Sequence, residues 1–186
     1  WFERTREVAP NHVIAVPDPN VTIGRECRGV PLEFVVRGYL TGVTSTSIWT
    51  AYARGERVYC GHPLPEGLRK HERLPRPLLT PTTKAEHGEH DEVTSRELAV
   101  GRGLLSAARY DEAEAMVLRL FGEGQRWAEK QGLILVDTKY ELGLDDAGIL
   151  TVIDEIHTPD SSRYWYLDSY ERAMSAGADP KAMDKE

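Results

Sequence analysis

The amino-acid sequence predicts an α+β fold built on antiparallel strands, and three patterns carry that prediction. Residues 133–154 read as a hairpin, with LILVDTKYE and ILTVID flanking the turn-forming DDAG of 145–148. Residues 31–40 (PLEFVVRGYL) are rich in the β-branched and aromatic side chains that suit a pleated surface. Residues 111–130 carry apolar side chains at 113, 116, 117, 120, 121, 127 and 128, a stripe near the 3.6-residue period of a helix with one face on a core.

From the N-terminus, residues 13–16 (VIAV) form a short β-like run ended by the turn cluster PDPN. In the strand at 31–40 the period of two puts Glu33, Val35 and Arg37 on one face and Phe34, Val36 and Gly38 on the other. Residues 41–46 are a small polar loop, and Ser47 can cap a short helix over 48–53 that stops near Gly55. Residues 56–93 are rich in proline, histidine and charge and show little periodicity. A stretch that long without regular structure is functional or disordered. Thr94 or Ser95 then caps a helix reaching Gly101, with Glu97 closing a capping box if Thr94 is the cap. Gly122 and Gly124 weaken the long helix in its middle and Gly132 ends it. Residues 173–186, rich in Ala, Gly, Lys and Asp, are expected to fray.

Composition removes several function classes. The 186 residues hold 23 basic and 30 acidic side chains, a net charge of −7, so the cationic excess of a general nucleic-acid binder is missing. A local cationic pocket stays compatible with that total. The apolar runs are a few residues long, against the roughly 20 that span a bilayer, so no membrane partner is expected. Cys27 and Cys60 supply neither a disulfide framework nor a four-cysteine zinc site, and read as reduced thiols of a cytoplasmic protein. Trp1 opens the sequence and FERTRE follows it, so no secretory signal is expected. P-loop, dinucleotide and nucleophile-elbow motifs are all missing from the sequence.

The hairpin carries the densest chemistry. Asp137, Lys139 and Glu141 share one face of its first strand. With 145–148 as the loop, Leu144 pairs with Ile149, Glu141 faces Val152 and Lys139 faces Asp154. Glu141 and Asp154 are then diagonal neighbours, roughly 7–8 Å apart, and could close on one Mg²⁺. A solvated sheet face with a Lys139–Asp154 surface pair gives the same pattern. Arg163 follows in a hydroxyl-rich loop and could clamp a phosphate or carboxylate bidentately, or lie on the surface beside an Asx-type turn. His87, His90 and Asp91 form an HxxHD cluster whose loop placement makes it weak evidence for zinc, and a metal-dependent hydrolase would rest on those residues alone.

Four blocks together resemble the phosphoribosylaminoimidazole-succinocarboxamide synthase (SAICAR synthetase) family. They are residues 30–42 (VPLEFVVRGYLTG), 80–86 (TPTTKAE) with His90 and Asp91, 135–143 (LVDTKYELG) and 154–165 (DEIHTPDSSRYW). The resemblance implies a two-lobed α+β fold with antiparallel sheets, packed helices and an ATP cleft between the lobes. Residues 1–55 would belong to the N-terminal lobe and 56–186 to the lobe that binds substrate and Mg²⁺–ATP. It implies an ATP-dependent ligase of purine biosynthesis that joins L-aspartate to carboxyaminoimidazole ribonucleotide. ATP, Mg²⁺ and these small molecules are its ligands, and a homo-oligomer is compatible with it.

By matching motif, Glu141 and Asp154 resemble the Mg²⁺–ATP carboxylates. Asp137 and Lys139 would line the nucleotide and reaction site, with Asp137, Lys139 and Asp154 as the catalytic set. Glu33 joins Lys139, Glu141 and Asp154 on the cofactor side. Arg37 and Arg163 resemble the arginines that hold the ribonucleotide's phosphate or carboxylate, with Ser161 beside them. Lys84 and Asp91 match the loop near the imidazole and the incoming aspartate. Two departures stand out. Val43 follows Gly42 where the family has Ser, so a substrate hydroxyl contact is expected from Thr44, Ser45 or Ser47 instead. The resemblance also leads us to expect a glycine-containing, Lys-Val-Arg-Asp-like segment over the ATP phosphates, which residues 1–186 do not contain. A catalytically silent ribonucleotide-binding module is therefore the alternative expectation.

Overall fold

The computed structural model describes residues 1–84 and 92–183. A short helix α1 (Phe2–Thr5) leads into an exposed two-stranded ribbon, β1 (Val13–Asp18) and β2 (Val21–Gly24). The long strand β3 (Arg28–Tyr39) follows, then α2 (Ile48–Ala53), a small ribbon of β4 (Val58–Tyr59) and β5 (His62–Pro63), β6 (Arg73–Leu79) and β7 (Thr82–Thr83). Next come α3 (Arg96–Gly101), the 24-residue α4 (Ala107–Lys130), β8 (Leu133–Leu144), β9 (Leu150–Ile153), β10 (Ser162–Tyr166) and α5 (Leu167–Ala176). The α+β class expected from the sequence is what forms.

The central sheet is antiparallel in the order β10-β8-β3-β6, with β7 pairing β3 and β9 pairing β8. Its two edges are interrupted. On one side the edge passes from β6 to β7 at Thr80 and Pro81, and on the other it passes from β9 to β10 through residues 154–161. Both gaps flank the middle of β3 and β8. A boundary at residue 55 would leave β3 on one side and its partners β6, β7 and β8 on the other, so the sheet crosses it.

Val30, Leu32, Phe34 and Val36 of β3 turn to α4, whose Ala113, Met116, Val117, Leu120 and Phe121 meet them in the main core. Ser106 caps α4, its hydroxyl accepting the Arg109 N–H, so the helix starts four residues ahead of the stripe that predicted it. Ser47 caps α2 as expected. For α3 the cap is Ser95, which accepts from Leu98 N, so the Thr94–Glu97 capping box does not form. The glycines of α4 differ in role. Gly122 faces open space, but a Cβ on Gly124 would stand 2.6 Å from both Leu135 and His157, so the helix needs that bare position to approach the sheet.

Two other expectations are corrected. Residues 56–93 contain a true strand, β6, despite Pro75 and Pro77. It lies at the sheet edge, where a missing N–H breaks no ladder bond. The tail beyond Ala173 is ordered through Met183. Tyr166 N donates to Lys181 O at 3.1 Å, Met183 N donates to Tyr164 O at 2.9 Å, and Gly177 ends α5 in the left-handed region.

His157 sits in this core, 1% exposed, with Tyr140 Oη 2.6 Å from its Nε2. Burial pushes its pKa down from 6.5 to about 3. The unfolded chain therefore takes up this proton first as pH falls. The stability is whole above about 6.5 and is lost toward pH 3, at up to about 1.4 kcal/mol per pH unit. We expect the thermal midpoint to drop between pH 7 and pH 4.5, and the drop to shrink in His157→Gln. An unchanged slope in that variant would assign the acid lability to another group.

Candidate active site

The face of the sheet opposite α4 collects the polar residues. β3 and β8 align so that Arg37 faces Asp137, Val35 faces Lys139 and Glu33 faces Glu141. β10 extends the first row, with Arg163 opposite Asp137. Facing residues of antiparallel strands point to the same side, so the two polar faces read separately from the sequence become one. Between Asp137 and Leu135 the β8–β10 register shifts by a residue, which lets Leu135 stay in the core with α4 while Asp137 joins the polar face.

Asp137 ties the row together. It is 6% exposed, and Arg163 grips it with Nε 2.9 Å from Oδ1 and Nη2 2.5 Å from Oδ2. Arg37 Nη1 lies 3.5 Å from the same Oδ2, and Arg37 Nε donates to Thr80 Oγ1 at 2.9 Å. Thr80 in turn donates to Val35 O at 3.1 Å. The fork of Arg163 therefore faces Asp137, and its Nη1 edge looks toward Gly42, 3.3 Å from where a Cβ would sit.

One step along the sheet, Glu33 and Glu141 would repel each other as a facing pair. Lys139 bridges them, its Nζ 3.0 Å from Glu33 Oε1 and 3.1 Å from Glu141 Oε1. Burial favours the neutral amine, but the two carboxylates outweigh it and raise the Lys139 pKa, so it remains an ammonium. Lys84 Nζ bonds the other Glu141 oxygen. Burial pulls Glu141 upward, and the two lysines overcome that and hold its pKa below the usual carboxylate range. Thr82 donates to Glu33 Oε2 at 3.3 Å. The patch thus sets four cations (Arg37, Lys84, Lys139, Arg163) against three carboxylates (Glu33, Asp137, Glu141), in a chain whose net charge is −7.

The hairpin register differs from the expected one. Glu141 faces Ile153 and Leu144 faces Leu150, because Asp145 accepts the N–H groups of Ala147 (3.0 Å) and Ile149 (2.9 Å) and draws Ile149 into a five-residue loop. Lys139 and Asp154 are not opposite each other, and the Glu141–Asp154 diagonal does not exist as drawn. Asp154 instead follows the partner of Glu141, leaves the strand at φ 63° and is exposed, with no hydrogen bond or ion pair among the described residues. Ser161 borders Lys139: its carbonyl accepts the Lys139 N–H at 3.0 Å, and its hydroxyl lies 3.3 Å from those of Thr158 and Ser162.

Asp91, with His87 and His90, lies outside the described residues. Among the described residues no three His, Cys, Asp or Glu side chains gather in a way that could hold a metal. Ser47 is committed to its helix cap and to Thr44 O at 2.9 Å, so of the hydroxyls expected to stand in beside Val43, those of Thr44 and Ser45 stay exposed. Thr80 and Thr82 went unassigned from sequence, although alternate threonines ahead of Lys84 were the available signal.

A sequence model of the SAICAR synthetase family matches residues 1–186. The chain belongs to the SAICAR synthetase family. It is 50% identical over 186 residues to phosphoribosylaminoimidazole-succinocarboxamide synthase of Legionella pneumophila (strain Lens), covering all of this chain and 59% of that protein. A second relative, a putative phosphoribosylaminoimidazole-succinocarboxamide synthase 2 of Mesorhizobium japonicum, is 52% identical with the same coverage. The chain thus spans about three-fifths of the length of these relatives. Among solved structures, SAICAR synthase of Saccharomyces cerevisiae complexed with SAICAR superposes with a TM-score of 0.78 at 27% identity, covering 91% of this chain and 60% of that one. A SAICAR synthetase in complex with ADP shares the fold, with a TM-score of 0.72 at 24% identity, over 95% of this chain and 69% of that one.

Removing the central carboxylate would leave the buried Arg37 and the half-buried Arg163 without their shared counterion. We expect Asp137→Asn to lower stability by about 3–5 kcal/mol, read as a shifted denaturation midpoint. A midpoint within error of the parent would show that the arginines do not depend on Asp137.

Proposed function

We propose that this chain carries the substrate and Mg²⁺–ATP face of an ATP-dependent ligase that forms SAICAR from carboxyaminoimidazole ribonucleotide and L-aspartate. The observation that carries the reading is the cation-rich patch in the middle of the sheet, because all three substrates are anionic at neutral pH. Family membership and the yeast synthase complexed with SAICAR support it. The reading also places the chain in the cytoplasm, in keeping with two unpaired cysteines, of which burial pushes the Cys60 thiol up to about 12.

In this reaction a carboxylate oxygen of the ribonucleotide attacks the γ-phosphorus of ATP, and ADP departs with the electrons of the broken P–O bond. The aspartate amine then attacks the acyl carbon of the acyl phosphate, phosphate leaves and the nitrogen loses its proton. In our reading Arg37 and Arg163, aligned by Asp137, hold the phosphate or carboxylate of the ribonucleotide. Lys139 cannot act as a base in the state seen here, since Glu33 and Glu141 keep it protonated. Its role is a fixed positive charge for phosphoryl oxygens. Lys84 carries a second such charge to the imidazole and aspartate side, where the motif also places Asp91. Ser161 contributes a hydroxyl at the border of that row.

The residues fit Mg²⁺. That ion takes one or two carboxylates together with substrate phosphates, and Glu141 on β8 with the exposed Asp154, one residue beyond its β9 partner Ile153, offers that donor set. When bound, Mg²⁺ would neutralise charge on the transferring phosphoryl group. Glu141 must release Lys84 or Lys139 to take part, which leaves those lysines to meet the phosphates.

The test is ADP release by the polypeptide at the length its gene encodes, with each substrate omitted in turn. Release should require both L-aspartate and the ribonucleotide. We expect Asp154→Asn to lower turnover by at least about 100-fold with the melting point unchanged, and wild-type turnover would remove Asp154 from the site. Arg163→Lys, which loses the planar fork, should raise KM for the ribonucleotide about tenfold or more. An unchanged KM would take Arg163 out of the anion site.

A further inference from the structure

Behind Arg163 stands a chain of side chains, Thr41, His71 and Asp179, of which the sequence motifs include only Thr41. His71 is 8% exposed and Thr41 is 4% exposed, and His71 Nδ1 lies 2.9 Å from Thr41 Oγ1. The other ring nitrogen, Nε2, lies 2.6 Å from Asp179 Oδ1, on the tail that follows α5. A carboxylate can only accept, so Nε2 carries the proton. Nδ1 is then the bare nitrogen, and the Thr41 hydroxyl donates to it. Burial lowers the His71 pKa from 6.5, with Lys70 and Arg163 acting in the same direction and Asp179 opposing them, so the ring is neutral at pH 7.

The backbone around this ring is unusually constrained. His71 adopts φ 67°, a left-handed conformation that side chains rarely take. It is held there by three bonds: His71 N to Leu40 O at 2.7 Å, Leu40 N to Glu72 O at 2.8 Å, and Tyr170 Oη to His71 O at 3.0 Å. The edge of Trp165 packs on the ring at 5.2 Å. Strain of this kind persists where the surroundings over-determine it. What it achieves is to aim the imidazole at Thr41, and the next residue is Gly42. Gly42 is at φ 105° and forms the wall beside Arg163 Nη1, the edge of the guanidinium that Asp137 does not hold.

We propose that His71, backed by Asp179, is a positioning residue that fixes Thr41 and Gly42 against the open edge of Arg163 and thereby sets affinity for the anionic group of the ribonucleotide. The inference rests on the reading of Arg163 given above. His71 touches no reacting atom in it.

Two substitutions separate this role from a plain structural tie. In His71→Asn the amide oxygen falls near the Nδ1 position, so Thr41 keeps its acceptor and Asp179 loses its donor. In His71→Gln the longer amide reaches Asp179 but leaves Thr41 without its acceptor. The measurement is steady-state kinetics of the polypeptide at the length its gene encodes, with Arg163→Lys run beside both variants. We expect His71→Gln to raise KM for the ribonucleotide about tenfold with kcat within about twofold, and His71→Asn to stay within about threefold of the parent on both constants. Thr41→Val should match His71→Gln, and the double variant should cost no more than either alone. Equal KM values for the Asn and Gln variants, or recovery by Gln and not by Asn, would overturn the proposal while Arg163→Lys still raised KM. If Arg163→Lys itself leaves KM unchanged, the anion reading of Arg163 fails and this inference falls with it.

Discussion

The row Arg37–Asp137–Arg163 crosses three strands, and the arrangement of the polar face depends on it. A single buried carboxylate balances two guanidinium groups that stand on the strands to either side of it. Because β3, β8 and β10 each contribute one member, the electrostatic match also favours one register for the centre of the sheet. The bulge beside Val136 belongs to the same constraint. Without it, either Asp137 would turn into the apolar core or Leu135 would leave it.

The two gaps in the sheet edges give that row its surroundings. Where the edge passes from β6 to β7, Thr80 turns in to meet Arg37 and Val35. Where it passes from β9 to β10, the backbone leaves the ladder at Asp154 and returns at Ser162 with Arg163 next in line. Irregular chain therefore flanks the one stretch where charges are concentrated, and the regular strands beneath supply rigidity.

Much of this was legible in the sequence, because alternation in a strand depends only on local geometry. The face holding Glu33 and Arg37, the face holding Asp137, Lys139 and Glu141 and the stripe of α4 follow from periods of two or 3.6, and the cap at Ser47 from a hydroxyl placed just ahead of a helical run. What was not legible depends on contacts between distant segments or on side chains that rewrite a turn. The hairpin register turned on the Asp145 side chain capping backbone N–H groups, which a count of loop residues does not foresee. β6 was hidden by prolines whose acceptability depends on being at an edge. Gly124 looked like a weakness of α4 and is a packing requirement set by His157 from another part of the chain. The Thr41–His71–Asp179 chain spans positions with no shared motif, so only the folded arrangement brings them together.

Lys84 and Lys139 both pair with Glu141. They are its resident counterions, covalently tethered and already in place before any ligand arrives. The two glutamates of the sheet are therefore compensated by the protein's own lysines. On the proposed reading, ligand capture is an exchange of ionic partners, in which each new contact to a phosphate replaces an existing contact to a carboxylate. On that reading the surface would discriminate among anions by how well they compete with its own glutamates, and a singly charged salt anion would compete far less well than a polyphosphate.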